Sequence, residues 1–298
     1  MNHDPDPFPA VPAHRPRWRG RHPARPRDGH RAGQGATAGT PATAATAGTA
    51  GTAGTEARWP AGFPLPDGFR PEGITIGSGP YAWVGSLGTG AVYRADLRTG
   101  RGRVVLDGAS GTAAVGMKLD HDGLLYIAGG ADGTARVLDT RTGELVATHR
   151  PAGPTGHFVN DVTLLGDRAR FTDSRDGALH GIPRGTRGTV TSLRLGGDWQ
   201  QAPDVINANG IVPAPGGRGL IVVSSRPVGR LYHVGPKTGH AAEIALRGAD
   251  DVLNGDGLLR IGRRLYVVQN RLNRISVFDL GLEAGLPVAA LRGTITDP

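Results

Sequence analysis

The chain has no cysteine. That one absence removes disulfide frameworks, cysteine-ligated zinc, iron–sulfur clusters and thiol nucleophiles. Lysine is nearly as scarce: of 34 basic residues only Lys118 and Lys237 are lysines. Arginine in place of lysine, beside 49 glycines, fits the coding bias of a GC-rich genome and explains the high isoelectric point without a nucleic-acid partner. Residues 1–58 hold eight arginines against Asp4, Asp6, Asp28 and Glu56, so +4 of the formal net charge of +8 belongs to that segment. No basic run interleaved with aromatics follows it, and nucleic-acid binding is not expected. No apolar stretch reaches the roughly 18 residues that span a membrane. The N-terminal basic residues lead into no apolar core of a signal peptide, so the chain as written is expected to stay in the cytoplasm. No helical stripe of useful length occurs either. Parallel α/β folds need helical crossovers and are therefore set aside.

What the chain does hold begins with low complexity. Met1 to about Arg31 is rich in Pro, Arg and His; a Gly-Thr-Ala repeat follows, as in Gly48-Thr49-Ala50-Gly51-Thr52-Ala53. Neither piece has enough apolar surface to offset an ordering entropy of about 1–2 kcal/mol per residue. Residues 1–57 are read as a disordered tail and residues 58–298 as one β-propeller domain. Trp59 to Phe69 is an extended lead-in with apolar anchors at Trp59, Phe63, Leu65 and Phe69, turned at Pro66-Asp67-Gly68.

Short apolar segments with turns between them then repeat. The first unit runs Gly73-Ile74-Thr75-Ile76, Tyr81-Ala82-Trp83-Val84, Ala91-Val92-Tyr93-Arg94, an Arg98-Thr99-Gly100 turn, and Arg103-Val104-Val105-Leu106. The second copies it through Arg141-Thr142-Gly143, and Lys237-Thr238-Gly239 marks the same turn in the fourth. Four short strands per unit, at a period in the forties, indicate an all-β propeller of four-stranded blades. Five blades are visible. A sixth opening would fall beyond Pro298, and the reading is of a six-bladed type whose sixth blade is missing at the C-terminal side.

One column runs through the repeats: Glu72, Val115, Asn160, Asn209 and Asp256, at steps of 43, 45, 49 and 47 residues. The first strand of a propeller blade is innermost, so these positions converge on one mouth of the central channel. Four of the five carry a hard oxygen donor. Two carboxylates and two amides suit Ca²⁺ or another hard divalent cation and suit zinc or copper poorly. The alternative is that Asn-Gly and Asp-Gly are ordinary turn dipeptides, Asn254-Gly255-Asp256-Gly257 above all. His157, just before Phe158-Val159-Asn160, is a candidate for the pocket mouth, and Asp173 for support of the ligand shell. No Ser-His-Asp elbow, Walker loop or dinucleotide fingerprint is present.

The segments Pro71-Glu72-Gly73-Ile74, Phe158-Val159-Asn160-Asp161, Asn207-Ala208-Asn209-Gly210-Ile211 and Asn254-Gly255-Asp256-Gly257-Leu258 resemble the SMP-30/gluconolactonase/LRE-like family, which includes diisopropylfluorophosphatase-like enzymes. That resemblance implies a six-bladed propeller with a divalent ion in its channel, acting on small-molecule lactones or organophosphate esters. It matches Glu72, Asn209 and Asp256 to metal ligands and Asn160 to a residue touching metal or substrate. Asp256 also matches the general base or nucleophile. Asn160, Asp161 and His157 are the expected substrate-facing residues. Many relatives of this kind are exported. The expected function is a calcium-dependent lactonase or esterase. The alternatives are a propeller that binds a ligand or partner without catalysis, and an inactive, truncated family member.

Overall fold

The structure is a computed structural model and describes residues 59–296 except Pro154 and Thr186. The expected tail over residues 1–57 lies outside the described residues. Strands β1 (Pro71–Ile76), β2 (Tyr81–Ser86), β3 (Val92–Asp96) and β4 (Arg101–Leu106) form the first sheet. The second holds β5 (Met117–Leu119), β6 (Leu124–Ala128), β7 (Ala135–Asp139) and β8 (Glu144–His149). The third holds β9 (Val159–Leu165), β10 (Arg168–Asp173), β11 (Ala178–Pro183) and β12 (Thr191–Arg194). After a two-residue strand β13 (Gly196–Gly197), the fourth is β14 (Ala208–Pro213), β15 (Leu220–Ser224), β16 (Arg230–Val234) and β17 (His240–Glu243). After β18 (Ala245–Arg247), the fifth is β19 (Gly255–Ile261), β20 (Arg264–Gln269), β21 (Arg274–Glu283) and β22 (Leu286–Thr296).

Each sheet is an antiparallel meander in chain order, so the expected four-stranded blades are all present. The short strands β13 and β18 add a parallel fifth member at the outer edges of β17 and β22. The turn before the last strand of blades one and two is built locally. Asp96 and Asp139 each accept the backbone N–H two residues on, at 2.9 Å, and pair with that residue's guanidinium. Gly100 and Gly143 then take φ values of 69° and 80°, where a Cβ would be strained. Among the described residues no helix is long and apolar enough to cross a membrane.

The blades pack face to face, and the alternation of each strand supplies both faces. Leu125 and Ile127 join Trp83 and Val92 between blades one and two. Tyr126 and Ala128, one place along, join Val162 and Phe171 between blades two and three. The same arrangement places Ile211 and Val222 against blade three, and Val212 and Val223 with Leu265 and Phe278 between blades four and five. Full burial of one such side chain stabilises by about 1.5–3 kcal/mol, so these four interfaces hold the fold. The lead-in closes a fifth cluster. Phe63, Leu65 and Phe69 lie on Val84 and Tyr93 of blade one, with Phe69 edge-on to Tyr93 at 6.1 Å.

The first strands of the blades touch in order: β1 with β5, β5 with β9, β9 with β14 and β14 with β19. They are the innermost strands, as propeller geometry requires. No comparable packing joins β19 back to β1 among the described residues.

Candidate metal centre in the channel

The column residues are aimed inward by a feature that their spacing does not announce. In four blades the pairing of the first two strands skips. Pro71 pairs with Ser86 and Ile74 with Val84, so two residues, Glu72 and Gly73, oppose the single Gly85. The same two-for-one bulge holds Asn160-Asp161, Asn209-Gly210 and Asp256-Gly257. A bulge leaves a residue outside the ladder and turns its side chain, which is why bulges recur beside active sites. Blade two makes the same step, since Ala128 accepts the N–H of Val115 and donates to the carbonyl of Gly116, both at 2.9 Å, but its column residue is the apolar, fully buried Val115.

The residue after each column position explains the glycines. A Cβ on Gly73 would lie 2.2 Å from the Val115 carbonyl oxygen, and one on Gly210 would lie 2.1 Å from that of Asp256. Neighbouring inner strands therefore approach through bare backbone. Blade three departs from this rule with Asp161. Its carboxylate accepts the N–H of Val162 at 2.7 Å and, across the blade boundary, that of Ile211 at 3.2 Å.

Glu72, Asn160, Asp161, Asn209 and Asp256 all line one channel cavity of about 440 Å³. Its remaining wall is largely apolar, with Ile74, Ile76, Met117 and Leu258 among the lining. Glu72, Asn160, Asn209 and Asp256 also border a second cavity, of about 320 Å³, at the mouth, where Phe158, Arg226, Asn270 and Arg271 join them. These four residues thus stand where mouth and channel meet. The expected convergence of the column is what the structure places there.

Their supports differ. Asn160 donates to Ser174 Oγ at 2.8 Å, and Ser174 Oγ donates to the Ala208 carbonyl at 2.5 Å. Thr172 Oγ1 donates to the Asn209 carbonyl at 2.7 Å. Asp256 Oδ2 accepts from Asn270 Nδ2 at 2.6 Å. No hydrogen bond holds the Glu72 carboxylate among the described residues. It meets solvent on the open side and crowding protein atoms on the others.

The electrostatics point to a missing positive charge. Burial, then the charges of Asp256 and Asp161, push Glu72 up to about 8. Burial pushes Asp161 up to about 6 against the two N–H donors and Lys118. Burial also raises Asp256, against hydrogen bonds from Asn209 and Asn270. Among the residues lining the channel cavity three carboxylates face one lysine, with Arg226 and Arg271 at the mouth. Like charges this close raise one another's proton affinity, and a bound divalent cation reverses that effect. The donor set is all oxygen and fits a hard cation such as Ca²⁺.

His157 does not line either cavity. It is mostly buried, and its Nδ1 lies 2.7 Å from Asp173 Oδ2. Asp173 is a hub. Its Oδ1 accepts the N–H groups of Phe158, Arg175 and Asp176, and its Oδ2 also meets His180 Nε2 at 3.2 Å. Burial opposes ionisation of Asp173, but the bonds from His180, Phe158, Arg175 and His157 outweigh it and hold the carboxyl well below its usual range. His180 Nδ1 is in turn 2.8 Å from Ser192 Oγ. His157, Asp173 and His180 have ligand atoms within 4.8 Å of one another, so this trio has the donor types of a transition-metal site. As it stands, its contacts are hydrogen-bond lengths, and the hub pins the loop that leads into Asn160. His180 went unnoticed in the sequence because nothing in its spacing links it to Asp173; only the β10–β11 pairing does.

No protein-family model matches the chain, and no curated protein matches its sequence. Solved structures do match its backbone. The periplasmic gluconolactonase of Pseudomonas aeruginosa aligns with a TM-score of 0.56 at 16% identity, over 76% of this chain and 72% of that one. The calcium-binding protein regucalcin of Agrobacterium tumefaciens aligns with 0.53 at 21% identity, over 71% of each chain. Virginiamycin B lyase of Staphylococcus aureus gives 0.56 at 14% identity, over 76% of this chain and 71% of that one. The likeness is one of fold. It sets the chain among β-propellers that include regucalcin and a gluconolactonase.

Proposed function

We propose that this propeller is a divalent-cation-dependent hydrolase of lactones or related esters, of the SMP-30/gluconolactonase type. One observation carries the reading: four separate bulges turn Glu72, Asn160, Asn209 and Asp256 into one cavity that is short of positive charge. The fold shared with a gluconolactonase and with regucalcin supports it. Glu72, Asn160, Asn209 and Asp256 would hold the cation. A hard cation bound there supplies polarisation of a substrate carbonyl oxygen. The protein's own part is positioning and proton transfer. The Asp256 carboxylate, oriented by Asn270, takes a proton from the attacking water or attacks the acyl carbon itself. Asn160 and Asp161 orient the substrate from the channel wall, and His157 acts through the Asp173 hub on the loop before Asn160.

The test is hydrolysis of γ-butyrolactone and gluconolactone with and without chelator. Turnover that calcium restores after chelation supports the reading; equal rates in both conditions would end it. A second reading, a propeller that only binds a ligand, is favoured by the apolar wall of the channel. It predicts that calcium raises the melting temperature with no turnover of either lactone.

A further inference from the structure

The segment Asn254-Gly255-Asp256-Gly257 has one polar member that cation binding leaves idle. Asn254 sits in the left-handed region at φ 58° and is 9% exposed. Its N–H donates to the Ser225 carbonyl at 3.1 Å, which ties it to the end of blade four's second strand. Its Oδ1 accepts from both Nε and Nη2 of Arg226, at 3.2 and 3.0 Å. A guanidinium carries its N–H donors in a rigid plane. Asn254 occupies one edge of that plane. The other edge, formed by Nη1 and the second Nη2 hydrogen, meets no acceptor among the described residues. It is a two-donor fork of the kind that matches the two oxygens of a carboxylate. An amide holds this arginine in place without neutralising it.

Arg226 lines the mouth cavity of about 320 Å³ together with Glu72, Asn160, Asn209 and Asp256. Arg271 lines it too, exposed and next to Asn270, whose side chain holds Asp256. Elsewhere arginines find carboxylates, as Arg98, Arg194, Arg230 and Arg264 do. Among the described residues neither Arg226 nor Arg271 has such a partner. Besides Glu72 and Asp256 the mouth carries one carboxylate, the exposed Asp204. Two guanidinium charges and a divalent cation together outweigh Glu72, Asp256 and Asp204 by one charge. We propose, resting on the hydrolase reading above, that the mouth is a subsite for a carboxylate carried by the substrate, gripped by the free edge of Arg226 and attracted by Arg271. The substrate class is then an anionic lactone or ester. Its reacting carbonyl meets the cation while its carboxylate stays in the same cavity on the arginines. Arg226 sets specificity, and Asn254 is the positioning residue that aims it.

The test compares γ-carboxy-γ-butyrolactone with its neutral carboxamide, in calcium. The wild type should favour the carboxylate by about tenfold or more in kcat/KM, the scale of a hydrogen bond to a charged group. Arg226→Gln, which keeps an amide N–H for Asn254, should bring that ratio close to one, mainly through KM; Arg271→Gln should lower it less. Arg101→Gln, exposed on the outer strand β4, removes the same charge far from the mouth and should leave the ratio as it is. A wild-type ratio near one overturns the proposal, and so does an equal loss in Arg101→Gln and Arg226→Gln. A lactone with phosphonate in place of carboxylate that reacts faster than the carboxylate overturns the choice of oxyanion. Binding is read separately by calorimetry with the matching cyclopentanone carboxylate and carboxamide, which have no ester bond to cleave. Tighter binding of the carboxylate, lost in Arg226→Gln, with no turnover of either lactone keeps the subsite and ends the hydrolase reading. Turnover of both lactones with equal kcat/KM keeps the hydrolase reading and ends the subsite. Equal binding of both analogues with no turnover ends both.

Discussion

Glu72 offers the sharpest test of the channel electrostatics. Its carboxyl is raised from 4.5 to about 8, by burial first and by Asp256 and Asp161 after it. At about 1.4 kcal/mol per pH unit, that shift sets a ceiling of roughly 5 kcal/mol. Glu72 touches channel water, and screening there lowers the expected effect to about 1–2 kcal/mol. The sign follows from linkage. The folded state keeps a proton that the unfolded chain has lost, so this stability is present in full below pH 4.5 and is lost as pH rises through about 8. The perturbation is pH at constant chelator, and the assay is thermal unfolding between pH 4 and 9. For a domain of this size about 1 kcal/mol moves the midpoint by roughly 2–4 °C, so the wild type should lose roughly 2–8 °C across that window. Glu72→Gln cannot ionise and should flatten that slope. Calcium should lift the wild-type midpoint more at pH 9 than at pH 6, because at pH 6 it must displace a proton. A wild-type midpoint that is flat or rising in chelator, or a Glu72→Gln slope equal to the wild type's, would refute the reasoning.

Other substitutions probe the remaining links. Asp256→Ala should lower lactone turnover by about 10²-fold or more, in line with loss of a general base, while calcium binding measured by calorimetry weakens; unchanged kcat removes its assigned role. Gly210→Ala drives a Cβ to 2.1 Å from a backbone oxygen and should destabilise by about 1–3 kcal/mol, read by urea unfolding. Gly257→Ala enters open space and should be neutral or slightly stabilising, so equal losses at both sites would contradict the packing described. Asp173→Ala strands three backbone N–H groups and two imidazoles, and should cost about 3–5 kcal/mol in the same assay.

The blades were legible because their signal is local. Period, Thr-Gly turns and alternation are written in consecutive residues, and the strands fall where those marks put them. The column Glu72, Asn160, Asn209 and Asp256 was legible for the same reason. Three things were not. The bulges depend on the partner strand's register, which no single segment carries. Asp161 reads as a substrate-facing neighbour of Asn160, yet it also spans to Ile211 of the next blade, and that reach exists only once blades three and four are side by side. The strands β13 and β18 pair in parallel with strands more than 40 residues later, too short and too remote to leave a pattern.

The side-chain ties across blades three and four have a mechanical result. Asn160 and Asn209 are clamped to one another's blades through Ser174, Thr172 and Asp161. Glu72 lines the same cavity from blade one, and among the described residues no hydrogen bond ties its side chain. The centre therefore works like a caliper, with one fixed jaw and one sliding jaw. A shift of the first blade by a fraction of an ångström would change the bite on a cation held as proposed, so that the hold on the cation would report the distance between the first blade and blades three and four.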